Sequence, residues 1–267
     1  MIRTTTLYRR VTHTGRAPLR WLTAWARILH FGATMLVRSL APASYGPLAR
    51  RNLARHAYLD TAPILLWFTV LIALFTLIIT RIVVVTAQSY GLSQYALEMV
   101  VRVLVIELIP LTAALFVALR CTIPSGAALV ELRRAGEFDR LARQGVEPIG
   151  AEVLPRLLAG VFACITLAAL CCVVAMVLGY FAVYGPTVAG IDEYTRVSGH
   201  VFAPAFTLIF VLKTLFFALA VSIIPLASGL NDLAAGDSRE AAALQGLVRM
   251  FAVLLALEAV SLVGNYI

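Results

Sequence analysis

Five apolar runs, at about 61–86, 97–119, 157–184, 201–228 and 241–264, constrain the fold of this chain more than any other feature. A hydrocarbon layer about 30 Å thick takes roughly 20 apolar residues to cross as a helix, and each run reaches that length. Lipid offers no partner to a backbone N–H or C=O, so a spanning segment must be a helix or part of a closed barrel. The runs are too long and too uniformly apolar for the alternating strands of a barrel. Composition agrees, since 61% of the 267 residues are hydrophobic and 13% charged, more apolar surface than one soluble core can hide. The sequence therefore predicts an all-α integral membrane protein with about five transmembrane helices.

The net charge of +8 is spread unevenly. Ten of the 22 basic residues precede Asp60, the first acidic residue, which places the N-terminus in the cytoplasm by the positive-inside rule. The connecting segments then alternate: 87–96 has no Lys or Arg, 120–156 has six Arg, and 185–200 has only Arg196. Segment 229–240, with Arg239 against Asp232, Asp237 and Glu240, is equivocal. Five spans from a cytoplasmic start leave the C-terminus on the far side. Clustered Arg beside a membrane meets anionic headgroups more readily than nucleic acid. Residues 1–20 lack the continuous apolar stretch of a cleavable signal. Cys121, Cys164, Cys171 and Cys172 lack metal-ligand spacing and read as small apolar fillers in helices.

Residues 1–60 form a basic N-terminal region and 61–267 the membrane domain. Within the first, 19–38 reads as an amphipathic helix: at about 100° per residue Leu22, Trp25, Leu29 and Leu36 share one stripe while Arg20, Arg27 and Arg38 share another. Such a helix lies in the membrane interface, anchored by Leu22, Trp25 and Leu29. Packing on a soluble partner is the alternative. Pro42 and Tyr45-Gly-Pro47 interrupt the helix, and Leu48 to Tyr58 carries Arg50, Arg51 and Arg55 towards the first span, so an elbow of helical pieces is expected.

Ionisable groups inside a span cost several kcal/mol unless paired or hydrated. Glu107 lies about 15 Å into the second run and Lys213, the only lysine, about 18 Å into the fourth from the same side. Similar depth and opposite charge suggest a pair, which serves either a transport cavity or helix register. Glu258 in the last run is a third candidate, with Arg249 nearer its cytoplasmic end. Arg81 and Arg102, with Glu98, read as snorkelling anchors. Segment 125–147 mixes Arg133, Arg134, Arg140 and Arg143 with Glu131, Glu137, Asp139 and Glu147. It is either a solvated connector or a docking element whose apolar anchors are Leu132, Phe138 and Leu141. An intramembrane enzyme finds little support, because His13, His30, His56 and His200 lie outside the runs or at their ends and no His-Glu-x-x-His occurs. No Gly-x-x-x-x-Gly-Lys-[Ser/Thr] loop is present, so an energy source must come from another chain.

Several stretches occur in the order of a known family. Val105-Ile-Glu-Leu-Ile-Pro-Leu-Thr-Ala-Ala-Leu115 leads through Arg120, Asp139 and Leu141 to Gly145-Val-Glu-Pro148 and Leu154-Pro-Arg-Leu-Leu-Ala159. Leu212-Lys-Thr-Leu-Phe-Phe217 and Gly229-Leu230 follow. Together these resemble the MlaE permeases, membrane subunits of lipid-moving ABC systems that work with Mce-domain proteins and sustain outer-membrane lipid asymmetry. The resemblance implies a homodimer, an ABC ATPase dimer carrying the ATP and Mg that this chain does not bind, and an Mce-domain periplasmic partner. It also implies a small STAS-like cytoplasmic subunit and phospholipid as cargo. On that basis the bacterial inner membrane is the location, with the C-terminus periplasmic. Segment 125–147, with Leu132, Arg133, Phe138, Asp139, Arg140, Leu141 and Arg143, becomes the expected ATPase contact. The chain departs from the family pattern at Ile106 and Ile109, where Arg and Gly are usual. It departs again at Gly136-Glu137, at Ala127-Ala-Leu129 and at Ala235-Gly-Asp-Ser-Arg-Glu240. These departures keep open a non-transporting scaffold or sensor on the same fold.

Overall fold

The structure, a computed structural model, describes residues 3–91, 98–232 and 239–266. Eight α-helices and one short 3-10 turn occupy almost all of that, and no strand occurs among the described residues. Five segments are long and apolar enough to span a membrane: Pro47–Ser89, Glu98–Arg134, Ile149–Tyr184, Phe206–Leu230 and Leu244–Gly264. The helices are α1 (Arg3–Leu40), α2 (Pro47–Ser89), α3 (Glu98–Arg134), α4 (Glu137–Arg143), α5 (Ile149–Tyr184), α6 (Ile191–Val201), α7 (Pro204–Asp232) and α8 (Arg239–Tyr266). The start of the second expected run, at residue 97, and much of segment 229–240 lie outside the described residues.

The expected elbow is present in simpler form. α1 stops at Leu40, Pro42–Ser44 makes one 3-10 turn, and α2 starts with Pro47 in its first turn, where a missing N–H costs nothing. The Leu48 to Tyr58 piece is not separate: α2 continues through residue 60 and past Pro63 as one helix of 43 residues. α1 has three faces rather than two. Ala24, Ile28, Gly32 and Met35 are buried, with Gly32 lying against Ile223 of α7. Leu22, Leu29, Leu36 and Leu40 stay exposed beside them. The protein and the lipid thus take adjacent stripes of the same helix. Trp25, expected on the lipid stripe, is half-buried at the border, edge-on to the exposed Trp21 at 5.9 Å.

Proline shapes the membrane helices. Ahead of Pro110, Pro124 and Pro155 the turn widens to π geometry, at Arg102–Leu108, Ala118–Thr122 and Ile149–Val153. A proline has no N–H for the carbonyl four residues back and its ring pushes that carbonyl aside. The preceding residue then reaches five back, as Ile109 N–H to Leu104, Ile123 to Ala118 and Leu154 to Ile149. The Ala151 carbonyl, four residues before Pro155, accepts from Asn52 Nδ2 of α2 at 2.9 Å instead.

Among lipid-immersed helices the hydrophobic effect gives little mutual attraction, so close packing of small residues does the joining. Where α3 crosses α7, a Cβ on Gly126 would lie 3.1 Å from the Pro225 carbonyl, and one on Gly229 would lie 3.1 Å from the Gly126 carbonyl. α2 and α5 share a long contact in which Ile64, Phe68 and Ile72 meet a face of Ala163, Cys164, Leu167, Ala168 and Cys171. The cysteines are apolar fillers there, as the sequence suggests. Leu66, Trp67, Val70, Leu74 and Phe75 on the outer side of α2 are exposed.

One element is absent from the sequence reading. Segment 185–200, taken as a loop, holds α6, with Asp192 and Glu193 in its first turn where the helix dipole favours them. Tyr194 fastens α6 to the end of α5 by donating to the Met176 carbonyl at 2.6 Å and standing edge-on to Tyr180. Burial pushes the Tyr194 phenol up, which keeps it a donor.

Candidate functional site

The three ionisable residues singled out in the spans come together. Lys213 of α7 forms an ion pair with Glu107 Oε2 of α3, and its Nζ lies 2.9 Å from Glu258 Oε2 of α8. Glu107 and Lys213 are buried, at 8% and 5% exposure, and Glu258 is half-buried. The wide turn at Arg102–Leu108 carries Glu107 and orients it, while Lys213 also lies 5.8 Å from the Phe217 ring centre. The depth argument thus finds the Glu107–Lys213 pair. Glu258 could be named as a candidate, but its meeting with Lys213 depends on how α8 rotates against α7.

One ammonium facing two carboxylates ties three of the five spans at one point. Removing one member of a buried pair strands the other charge, at a cost of about 3–5 kcal/mol. Arg102 is not a free anchor: it pairs with Glu98 at 3.0 Å and lies 4.7 Å above the Phe206 ring. Arg81 is exposed, as a snorkelling residue should be.

At the Arg-rich end, α3 runs to Arg134 and the chain turns at Gly136, whose φ of 73° suits a residue without Cβ. The seven residues of α4 follow. The apolar anchors expected here are largely taken up by the chain's own packing. Leu141 is 5% exposed, and the half-buried Leu132 and Phe138 pack on a cluster of Met35, Leu129, Leu154, Leu157 and Leu226. A helix this short has one apolar face, and the chain's own core takes most of it. What α4 and its flanks expose is polar: Arg133, Asp139, Arg140 and Arg143. Arg133 also donates to the Leu230 carbonyl at 3.0 Å, and Arg140 pairs with Glu137 at 2.6 Å. Arg38 at the end of α1 pairs with Glu147 just beyond α4.

A second polar cluster escapes the sequence reading. Asn52 Nδ2 donates to Glu152 Oε1 at 2.9 Å, Arg156 Nη2 to Glu152 Oε2 at 3.1 Å, and Arg156 Nε to His56 Nε2 at 3.2 Å. The signal available was the spacing by four of Asn52 with His56 and of Glu152 with Arg156. Pairing the two helices needed the tertiary structure.

The model of one family, Permease MlaE, matches residues 53–263, most of the chain and nearly all of each span. The chain belongs to the MlaE permease family. No individual curated protein matches it. Membership makes this a multi-pass membrane protein and a transporter subunit of the lipid-moving ABC type. The match begins within the first turns of α2, so α1 lies outside it. The triad, the wide turn before Pro110, α4 and, of the second cluster, His56, Glu152 and Arg156 lie inside the matched region, while Asn52 lies one residue before it.

Proposed function

We propose that this permease moves phospholipid or a related lipid between the bacterial inner membrane and a periplasmic Mce-type carrier. Two copies enclose the acyl-chain cavity, and a separate ABC ATPase dimer, with its own ATP and Mg, drives the cycle. The N-terminus is cytoplasmic and the C-terminus periplasmic, which puts α4 on the ATPase side, where a STAS-like subunit also has access. The observation that carries the reading is Lys213 bridging Glu107 and Glu258, three charges from three spans inside an otherwise apolar bundle. Charge buried at such depth is costly and marks working positions in membrane proteins. Within this reading the polar rim of Arg133, Asp139, Arg140 and Arg143 is the ATPase contact, while Leu132, Phe138 and Leu141 hold α4 in place from behind.

The test is lipid transfer from proteoliposomes holding the permease and its ATPase to a purified Mce-domain acceptor. ATP-dependent transfer, lost when the ATPase is omitted, is expected. ATPase binding without any transfer in either direction would favour a scaffold or sensor on the same fold.

A further inference from the structure

We propose that α2 and α5 carry a polar ladder with two registers, and that Arg156 is a positioning residue that moves from one register to the other during transport. The inference rests on the transport reading above and names a moving part within it. Asn52, His56 and Asp60 stand four residues apart along α2, and Glu152 and Arg156 four apart along α5, so each set lines one helical face. The structure holds the first register. Asn52 bonds Glu152 and His56 accepts from Arg156, which sets the two helices parallel with one rung per turn.

That register leaves Arg156 incompletely satisfied. Its side chain is 9% exposed, yet Nη1 is buried without a hydrogen-bond partner. Asp60, one turn beyond His56, lies within electrostatic reach of the guanidinium. The main-chain carbonyl of Asp60 accepts from Cys121 Sγ of α3 at 3.3 Å. An advance of α5 along α2 by one turn, about 6 Å, puts Glu152 opposite His56 and Arg156 opposite Asp60. The second register gives the unpartnered Nη1 the Asp60 carboxylate while Nη2 keeps Glu152 on its own helix. It gives up the Asn52 bonds to Glu152 and the Ala151 carbonyl and the bond from Arg156 to His56. Each register satisfies groups that the other leaves, the condition for a two-state element.

The surroundings permit such a step. Above the ladder the face that α5 turns to Ile64, Phe68 and Ile72 holds Ala163, Cys164, Ala168, Cys171 and Ala175, small side chains interrupted only by Leu167. Below it, α5 joins α4 through Gly145 to Pro148, and the Arg38–Glu147 pair ties that joint to the end of α1. A push on α4 is therefore delivered to the base of α5, and one-turn ratchets between packed helices are an established way to convert it.

The experiment uses the full chain with its ATPase in proteoliposomes and compares Asp60→Asn and Asp60→Glu with the unaltered permease. Asp60→Asn is expected to keep the thermal midpoint and ATPase association while lowering ATP-driven lipid transfer roughly ten-fold or more, and Asp60→Glu to restore most of it. A purely structural Asp60 would move the midpoint and transfer together. Spin labels at the exposed Arg51 and Phe162 report the register directly. Their separation should change by several ångströms, on the scale of one helical turn, between nucleotide-free and nucleotide-trapped states, and stay fixed in Asp60→Asn. Transfer by Asp60→Asn at the unaltered rate, or a label distance indifferent to nucleotide, overturns the ladder and leaves the transport reading intact. An unaltered complex that moves no lipid overturns the transport reading itself.

Discussion

Lys213 is the residue on which most depends, because it is the counter-ion of two carboxylates at once. Lys213→Ala should therefore be the most damaging single change in the triad, stranding both Glu107 and Glu258, with a loss of about 3–5 kcal/mol in stability. Glu258→Ala leaves the Lys213–Glu107 pair and should cost less. The double change Glu107→Ala with Lys213→Ala should be no worse than the worse single one in lipid transfer, since one removal already breaks the pair. Thermal unfolding in nanodiscs and a transfer assay measure the two effects; strictly additive losses would show that the residues act independently. The lone lysine and the carboxylate of the second run were legible in the sequence because lipid makes each charge conspicuous. Arg156 was not, since near a span end its charge looks like one more basic residue.

Element by element, the sharpest revision concerns α4. With Leu141 buried and Phe138 packed on the core, Phe138→Ala with Leu141→Ala should lower the thermal midpoint before it affects any partner, because large-to-small changes in packed positions cost about 2–5 kcal/mol each. Charge reversal at the exposed Asp139, Arg140 and Arg143 should do the opposite, weakening ATPase copurification at an unchanged midpoint. Retention of the ATPase by that triple variant would move the contact elsewhere on the Arg-rich end. Gly136→Ala places a Cβ at φ 73° and should cost about 1 kcal/mol, read as a lower midpoint. For α1, the exposed Leu22 and Leu29 beside a buried Ala24, Ile28 and Met35 predict a helix held by lipid and protein together. In a Trp67→Phe background, Trp21 and Trp25 fluorescence should be quenched most by lipid quenchers carried near the headgroups, and quenching deepest at mid-chain positions would contradict an interfacial α1.

On the scale of the molecule, the bundle is joined at a few close approaches rather than by bulk apolar burial. Gly126→Leu would drive a side chain into the Pro225 carbonyl of α7, a neighbour that is backbone and cannot rotate away. The expected result is a marked fall in thermal midpoint and in lipid transfer alike, whereas the equally apolar Leu66→Ala on the exposed side of α2 should leave both nearly unchanged. A Gly126→Leu protein as stable as the unaltered one would show that α3 and α7 can separate at that crossing without loss.

Span number, helical class and the elbow break were decided by the sequence alone, because lipid thickness and the lack of backbone partners leave an apolar run of 20-odd residues few other choices. Pro42 and Pro47 stop and restart a helix for equally local reasons. The continuity of α2 through Pro63, the wide turns ahead of Pro110, Pro124 and Pro155, and the helix at Ile191–Val201 were not legible, since a proline reads as a break and the partners that help, Asn52 at the Ala151 carbonyl and Met176 for Tyr194, come from other helices. Only the tertiary structure decided that Glu258 completes the triad, that α4 turns its apolar face inward, and that Asn52 and His56 meet Glu152 and Arg156. Each of these is a matter of helix rotation and relative register, and a periodic pattern states which face a residue occupies without stating what that face meets.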